Sequence, residues 1–509
     1  MNRQSFLLIR LALVFLVYVA SARAQTFGLN KTRFSQSDEI VATWSGTPGG
    51  AKDWIGLYTV PGNAPVEGKS RGVSLTYLYC SGVKAGSVTF RALNLKPGRY
   101  VACLLANDGY DALASPVEFT VLGKAGPAAP QFRSEIRLRH AVAGRPMTAK
   151  LAAYAFDVDA DDTLTFSKVS GPDWISVDEH GALSGAPPSW ATGKQTMVVQ
   201  ATDLGGRSAQ SKISFDLFAP GKEEVKSLTV MAFNVWIGLN NVHDGYSKGA
   251  RAIVEADVDI VGVIEPYNAP QAMAGMLGWF ADNNGLVSRY PFERLPEKDS
   301  EGFYCYRVHL SENPRRDIIV AVVHLDYQHY APYVAQTAKA NDVDVLIEEN
   351  ASRRPAEVQT FLKQFAAAVA SADDTPLLVL GDFNTVSHLD WTDAARAKHN
   401  GRAALFPISL ALERAGLKDS FRELHPNPVL DPGTTWSTIF KGDEPQDRID
   451  YIYYKGRRLR AVGSLVFTTG VENTLGSWKT VGNSGSKATQ NNTWPSDHAA
   501  VVTRFQVAD

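Results

Sequence analysis

Leu228-Thr229-Val230-Met231-Ala232-Phe233-Asn234 is an apolar, strand-like run that closes on a polar side chain, and three further stretches repeat the design far along the chain. Asp259-Ile260-Val261-Gly262-Val263-Ile264 closes on Glu265, and Ile318-Ile319-Val320-Ala321-Val322-Val323 on His324. Leu377-Leu378-Val379-Leu380-Gly381 closes on Asp382-Phe383-Asn384. Short runs rich in Val and Ile, bounded by turn residues, read as buried strands. Ligands and catalytic groups of α/β sheets gather where strands end, so four polar tips on four core strands predict one site. Two C-terminal segments extend the set: Asp447-Arg448-Ile449-Asp450-Tyr451 and Trp494-Pro495-Ser496-Asp497-His498.

Taken singly, each group has an ordinary explanation. A lone Glu after a strand is usually surface, Gly-Asp-x-Asn is a common turn, and a histidine ending an apolar strand is usually a satisfied core residue. The ordered set reverses those expectations. In residue type and in order along the chain, these segments resemble the endonuclease/exonuclease/phosphatase superfamily, the DNase I-like fold. The resemblance implies two stacked mixed sheets with helices outside. It also implies that Asn234, Glu265 and Asp497 hold a metal, Mg²⁺ or Mn²⁺, and that His324, Asp382, Asn384, Asp450 and His498 are catalytic. Phosphate esters resist hydrolysis because their oxygens repel nucleophiles and the leaving alkoxide is poor. A catalyst therefore needs a hard cation, a base for water and donors for developing charge. Under the resemblance His498 is that base, oriented by Asp450, and His324 serves the departing side. Gly285-Leu286-Val287-Ser288-Arg289-Tyr290-Pro291 resembles a family segment that packs the sheet.

The match has departures. Many members carry Gln before the metal Glu, where this chain has Ile264, followed by Pro266. The longer signatures of the inositol-polyphosphate 5-phosphatases are missing around Asp382 and Arg448. The expected activity is thus a phosphodiesterase acting on nucleic acid, a phospholipid or a nucleotide. The alternatives are a phosphomonoesterase on a small extracellular molecule and an adhesion protein with a non-catalytic hydrolase scaffold. The rim segment Asp326-Tyr327-Gln328-His329-Tyr330-Ala331-Pro332-Tyr333 would either stack a base or sugar or fill an apolar corner.

A chain of 509 residues is too long for one core. Its net charge of −2 gives no whole-chain attraction to a polyanion. From Val225 onward acidic residues outnumber basic ones, against a dedicated duplex binder. Residues 1–24, with Arg3, Arg10, the apolar stretch Leu11 to Ala20 and Ala22-Arg23-Ala24, have the layout of a secretory signal. That stretch is short of the ~20 residues a spanning helix needs. The expectation is a secreted protein without a transmembrane segment, periplasmic or at the cell surface if bacterial.

Residues 25–122 show short alternating segments punctuated by Gly and Pro, which predict a β-sandwich. Asp53-Trp54-Ile55-Gly56-Leu57-Tyr58 resembles a strand of immunoglobulin-like, SKICH-like modules. Cys80 and Cys103 lie in this segment and are a candidate disulfide, with two buried thiols as the alternative. Cys305, the third cysteine, reads as a core thiol. A Gly/Ala/Pro linker spans 123–131. Residues 132–219 resemble a cadherin-like, dystroglycan-type repeat through Asp157-Val158-Asp159-Ala160-Asp161, Gly171-Pro172-Asp173-Trp174-Ile175 and Ala201-Thr202-Asp203. Asp157, Asp159, Asp161 and Asp203 offer oxygens to Ca²⁺, but capping of turns is the preferred reading because no complete loop signature is present. Both sandwich modules are candidates for cell-surface or matrix contact. Strands then alternate with helical stretches at Ser247–Glu255, Pro355–Ser371 and Ile408–Ala415, the mark of an α/β layer fold over 225–509. The whole is therefore expected to be multidomain: two all-β sandwiches followed by a four-layer α/β sandwich.

Overall fold

The computed structural model describes residues 25–508, apart from positions 61–62, 92, 94, 125, 134, 160–162, 296–302, 313–315, 471 and 482–487. The secretory reading of residues 1–24 falls outside the described residues. The chain divides into two compact units, Met1–Leu122 and Gly123–Asp509.

In the first unit a three-stranded sheet (Thr26–Leu29, Ile40–Ser45, Gly86–Phe90) accompanies a five-stranded sheet built on Trp54–Val60 and Gly98–Leu105. Alternation decides the cysteines. Ala102 and Leu104 join one apolar cluster together with Cys80, whereas Val101, Cys103 and Leu105 belong to a second, with Trp54 and Tyr58. Cys103 therefore points from the opposite face of its strand. This corrects the disulfide expectation: both are free, buried thiols, and burial pushes Cys80 up to about 11 and Cys103 up to about 12.

The second unit opens with a module of two sheets, whose longest strands, Gly193–Thr202 and Ser208–Phe218, pair antiparallel. Here Asp203 is held by Arg207 at 2.7 Å, Asp157 accepts from Asp159 N, and Asp159 accepts from Ala128 N. Asp161 lies outside the described residues. These contacts hold turns, while Asp157 Oδ2 is buried without a hydrogen-bond partner among the described residues.

Two six-stranded mixed sheets follow. One runs, in spatial order, through Phe280–Asp282, Leu286–Ser288, Ile260–Ile264, Ser227–Asn234, Ala500–Val507 and Leu459–Phe467. The other runs through Phe292–Arg294, Phe303–His309, Asp317–His324, Leu377–Asp382, Asp450–Lys455 and Lys418–Asp419. Both faces of the central strands are covered, so their sequences are apolar almost throughout. Leu228, Val230 and Ala232 pack against Val320, Val322, Leu378 and Leu380 between the sheets. Met231 and Phe233 point the other way, onto the helices Gly245–Glu255 and Ala269–Leu277. Ile319, Ala321, Leu377 and Val379 likewise meet Val358, Phe361 and Leu412 of the outer helices Arg354–Gln364 and Pro407–Arg414. Cys305 is buried in that same layer. The period of two along each strand thus produces four layers.

The sandwich module of this unit packs on the outer face of the first sheet. Ile136, Leu183 and Ile213 share one apolar cluster with Ala252, Ile253 and Met273. Around it Arg289 donates from Nη1 to Arg137 O at 2.7 Å, and Arg137 reaches Asp259 at 3.0 Å.

Candidate active site

Register places the polar tips side by side. Val323 and His324 pair with Gly381 and Asp382, and Asp382 pairs in turn with Asp450 across the antiparallel neighbour. Gly381 is required there: its φ is +148°, and a Cβ would lie 2.0 Å from Val323 O. In the first sheet Asn234 pairs with Ile264, which leaves Glu265 just past the strand end. The parallel strands end at this pole, and the antiparallel ones, at Asp450 and just after His498, begin there.

Asn234 bridges the two sheets. Its Nδ2 donates to Asp382 Oδ2 at 3.0 Å, lies 3.4 Å from Glu265 Oε1 and 3.4 Å from His498 Nε2, while Oδ1 accepts from Trp236 N. Glu265 takes a second donor, Ile237 N, at 2.7 Å. His498 Nδ1 and Asp450 Oδ2 stand 2.9 Å apart, and Nε2 lies 3.7 Å from Asp382 Oδ2. His324 approaches the same oxygen at 3.9 Å with 40% of its side chain exposed, the most open member of the set. The structure brings Asn234, Glu265, His324, Asp382, Asp450 and His498 to one place, with Asp497 beside them.

Asn384 reaches the site through a turn rather than along the strand. The strand stops at Asp382, so alternation along it does not aim Asn384. A left-handed residue, φ 50°, turns the chain; its N–H donates to Asp382 Oδ1 at 2.8 Å and its Nδ2 to Leu325 O at 3.0 Å. Asn384 thus ties the Asp382 turn to the loop after His324.

Electrostatically the site is overloaded with carboxylates. Burial alone would drive the His498 ring towards neutrality, but Asp450, Asp382 and Asp497 outweigh it and raise its pKa to about 10. Burial pushes Asp497 up to about 8 and raises Asp382 as well. One oxygen each of Asp497 and Asp450 is buried without a hydrogen-bond partner. Four carboxylates facing two imidazoles, with orphaned oxygens among them, suit a hard divalent cation. Asp382, Asp450 and His498 alone place three ligand atoms within 4.8 Å of one another. Glu265 lies close enough to Asp497 to raise the cost of its charge, and the two add further carboxylate oxygens beside that cluster.

Several supports carried no local signal in the sequence. Thr435 Oγ1 accepts from Ile449 N and Asp450 N, and Ser496 Oγ donates to Asn234 O at 2.6 Å. The Trp436 ring lies 4.7 Å from that of His498. Arg448, fully buried, holds Asp390 and Asp419 rather than substrate. Arg354, also fully buried, pairs with Glu349 at 2.7 Å and donates to the carbonyls of Asp326, Gln328 and His329, so it clamps the loop after His324. In that loop Tyr327 is 71% exposed, whereas Tyr330 packs with Ala331 and Ala335 in an apolar corner.

Two family models match the chain. The Endonuclease/Exonuclease/phosphatase family matches residues 231–498, and a Putative Ig domain matches residues 129–217, overlapping the segment 132–219 expected to be cadherin-like. An uncharacterized Caenorhabditis elegans protein is 32% identical over 251 residues, 45% of this chain and 79% of that one. Truncated Caenorhabditis elegans TDP2 covers 55% of this chain and 98% of its own, with 13% identity and a TM-score of 0.33. The AP endonuclease LMAP of Leishmania major covers 56% and 89%, with 13% identity and a TM-score of 0.33. The chain belongs to the endonuclease/exonuclease/phosphatase family, and it is a phosphoester hydrolase. Among the described residues no helix is long and apolar enough to cross a membrane.

Proposed function

We propose that this chain is a secreted, Mg²⁺- or Mn²⁺-dependent phosphodiesterase in which His498, oriented by Asp450, takes the proton of the attacking water. The observation that carries the reading is the buried pair of His498 Nδ1 and Asp450 Oδ2, 2.9 Å apart, with Nε2 turned towards Asp382 and Asn234. Asp450 fixes the ring and stabilises its charged form after proton transfer. His324 faces the opening and is placed to protonate or bind the departing oxygen. Asn234 directs its amide at the same point, and Asn384 holds the Asp382 carboxylate in register. Glu265 and Asp497 are the residues that would hold the cation, with Asn234 beside them. Bound there, the cation would offset the charge of the phosphoryl oxygens and of the carboxylates around them. His498 becomes a base near neutral pH only when that negative charge is offset, which makes activity depend on the cation.

Diester cleavage is favoured because both histidines are present without the 5-phosphatase signatures. The acidic excess after residue 225 favours a small or locally recognised diester over long duplex DNA. Assay of the purified protein against bis-nitrophenyl phosphate, nitrophenyl phosphate, DNA and sphingomyelin tests this. The expected result is diester turnover that vanishes in EDTA and returns with Mg²⁺ or Mn²⁺. Turnover of the monoester alone makes the chain a phosphatase; full activity in chelator, or rescue by Zn²⁺ only, overturns the proposal.

A further inference from the structure

Catalytic groups occupy one end of the two sheets, and a cavity of ≈ 910 Å³ opens at the other, between the sandwich module and the catalytic domain. Its wall includes Asp317, the first residue of the strand that ends at His324. Along that strand the two poles are roughly 23 Å apart.

Five arginines line this cavity, and four have carboxylate partners. Arg137 and Arg289 share Asp259 at 3.0 and 3.3 Å, Arg145 meets Glu312 at 2.6 Å, and Arg307 stands 3.7 Å from Asp317. Arg139 is the exception. Among the described residues no carboxylate lies within ion-pair distance of it; its guanidinium lies over the Phe280 ring, 5.8 Å from the centroid, and burial lowers its pKa. His140, next to it, is pushed down to about 4 by burial and then by Arg139, so it adds no positive charge near neutral pH. Glu223 lines the same cavity at 2% exposure. One of its oxygens accepts from Gly221 N at 3.2 Å, and the other is buried with no hydrogen-bond partner.

A half-buried guanidinium without a carboxylate partner and a buried carboxylate oxygen without a donor are each unfavourable until matched. Around one cavity of ligand size they define two complementary demands. We propose that this cavity is a second binding site, for a hydroxylated organic anion of which a sugar acid is the simplest. Arg139 takes its carboxylate in the forked geometry that guanidinium favours. Glu223 accepts from a hydroxyl, and the exposed Phe280 ring offers an apolar wall. The cavity is large for a two- or three-carbon acid.

Calorimetric titration of the purified protein with D-glucuronate tests this, with acetate (no hydroxyls) and glucose (no charge) as comparators. The expected result is saturable glucuronate binding, at least roughly tenfold tighter than either comparator. Loss of a hydrogen bond to a charged group corresponds to roughly tenfold to a hundredfold in affinity, so Arg139→Met should lose that much. Glu223→Gln should lose less, and His498→Ala should bind as the parent does. If Arg139→Met is unstable, Arg139→Lys, which keeps the charge without the fork, should show the same loss by a smaller factor. No saturable binding at millimolar glucuronate overturns the proposal. So does binding that survives Arg139→Met and Arg139→Lys unchanged, or that His498→Ala abolishes, since the ligand then sits at the catalytic pole.

Discussion

Replacing Asp497 with Asn should make the cation-free protein more stable and remove its response to Mg²⁺. Asp497 is 4% exposed, one of its oxygens has no partner, and the Glu265 and Asp382 carboxylates lie near it. Burial first, then those neighbours, hold its pKa at about 8 against 3.8 in the unfolded chain. Because the folded value is the higher one, the group costs nothing below pH 3.8 and progressively more as pH rises towards 8. At pH 7.5 the difference is 3.7 pH units, a ceiling of about 5 kcal/mol at 1.36 kcal/mol per unit. Asn keeps the shape and loses the charge, at a desolvation cost of about 1–3 kcal/mol for its amide. A net gain of roughly 2 kcal/mol, several degrees in thermal midpoint, should remain. Thermal scans in EDTA and in Mg²⁺, at pH 5 and pH 7.5, read both effects. The parent should gain with Mg²⁺ and the variant should not, and their gap in EDTA should widen with pH. A variant less stable than the parent in EDTA, or one with the full Mg²⁺ response, refutes the reasoning.

Three further outcomes follow from other parts of the molecule. Arg354→Met strands the fully buried Glu349 carboxylate and frees the loop after His324, so the unfolding free energy from urea titration should fall by about 3–5 kcal/mol; a loss under 1 kcal/mol contradicts the clamp. Gly381→Ala forces a Cβ to within 2.0 Å of Val323 O at φ +148°, and soluble yield should collapse; a soluble variant with parental melting contradicts that close approach. His140 is depressed to about 4, so below pH 6.5 the unfolded chain binds the extra proton and stability is lost as pH falls. His140→Gln should flatten that decline by at most roughly 3 kcal/mol, measured as the thermal midpoint between pH 4 and 7.

The strand ends were legible because their information is local. A Val/Ile run with a polar residue at its tip marks a buried strand and the end where polar groups meet, and the structure brings Asn234, Glu265, His324 and Asp382 to one pole. The helices at 245–255 and 407–414 coincide with the stretches read as Ser247–Glu255 and Ile408–Ala415, whereas the stretch Pro355–Ser371, read from its apolar spacing, breaks at Phe365 into helices at 354–364 and 366–370. What escaped depends on contacts across the fold. Asn384 reaches Asp382 through a left-handed turn that no alternation rule foresees. Arg354 and Arg448 carry no local mark of burial in the sequence, and only the fold pairs them with Glu349, Asp390 and Asp419. Thr435 and Ser496 look like ordinary loop residues until their hydroxyls meet the backbone of Asp450 and Asn234. Cys80 and Cys103 share a sandwich, yet strand alternation sends them to different apolar clusters. The cavity around Arg139 and Glu223 exists only where two modules dock, so neither segment announces it alone.

The central claim is that His498 and Asp450 work as one unit in proton transfer. The most direct measurement is kcat on bis-nitrophenyl phosphate with Mg²⁺ for the parent, His498→Ala, Asp450→Asn and the double variant, alongside their thermal midpoints. A positioned proton transfer is worth ~10²–10⁴ in rate, so each single variant should lose turnover. The double variant should lose little more than His498→Ala, because the two residues share one task. Unchanged turnover in His498→Ala would contradict the account, as would losses that multiply in the double variant or a midpoint that collapses along with the rate.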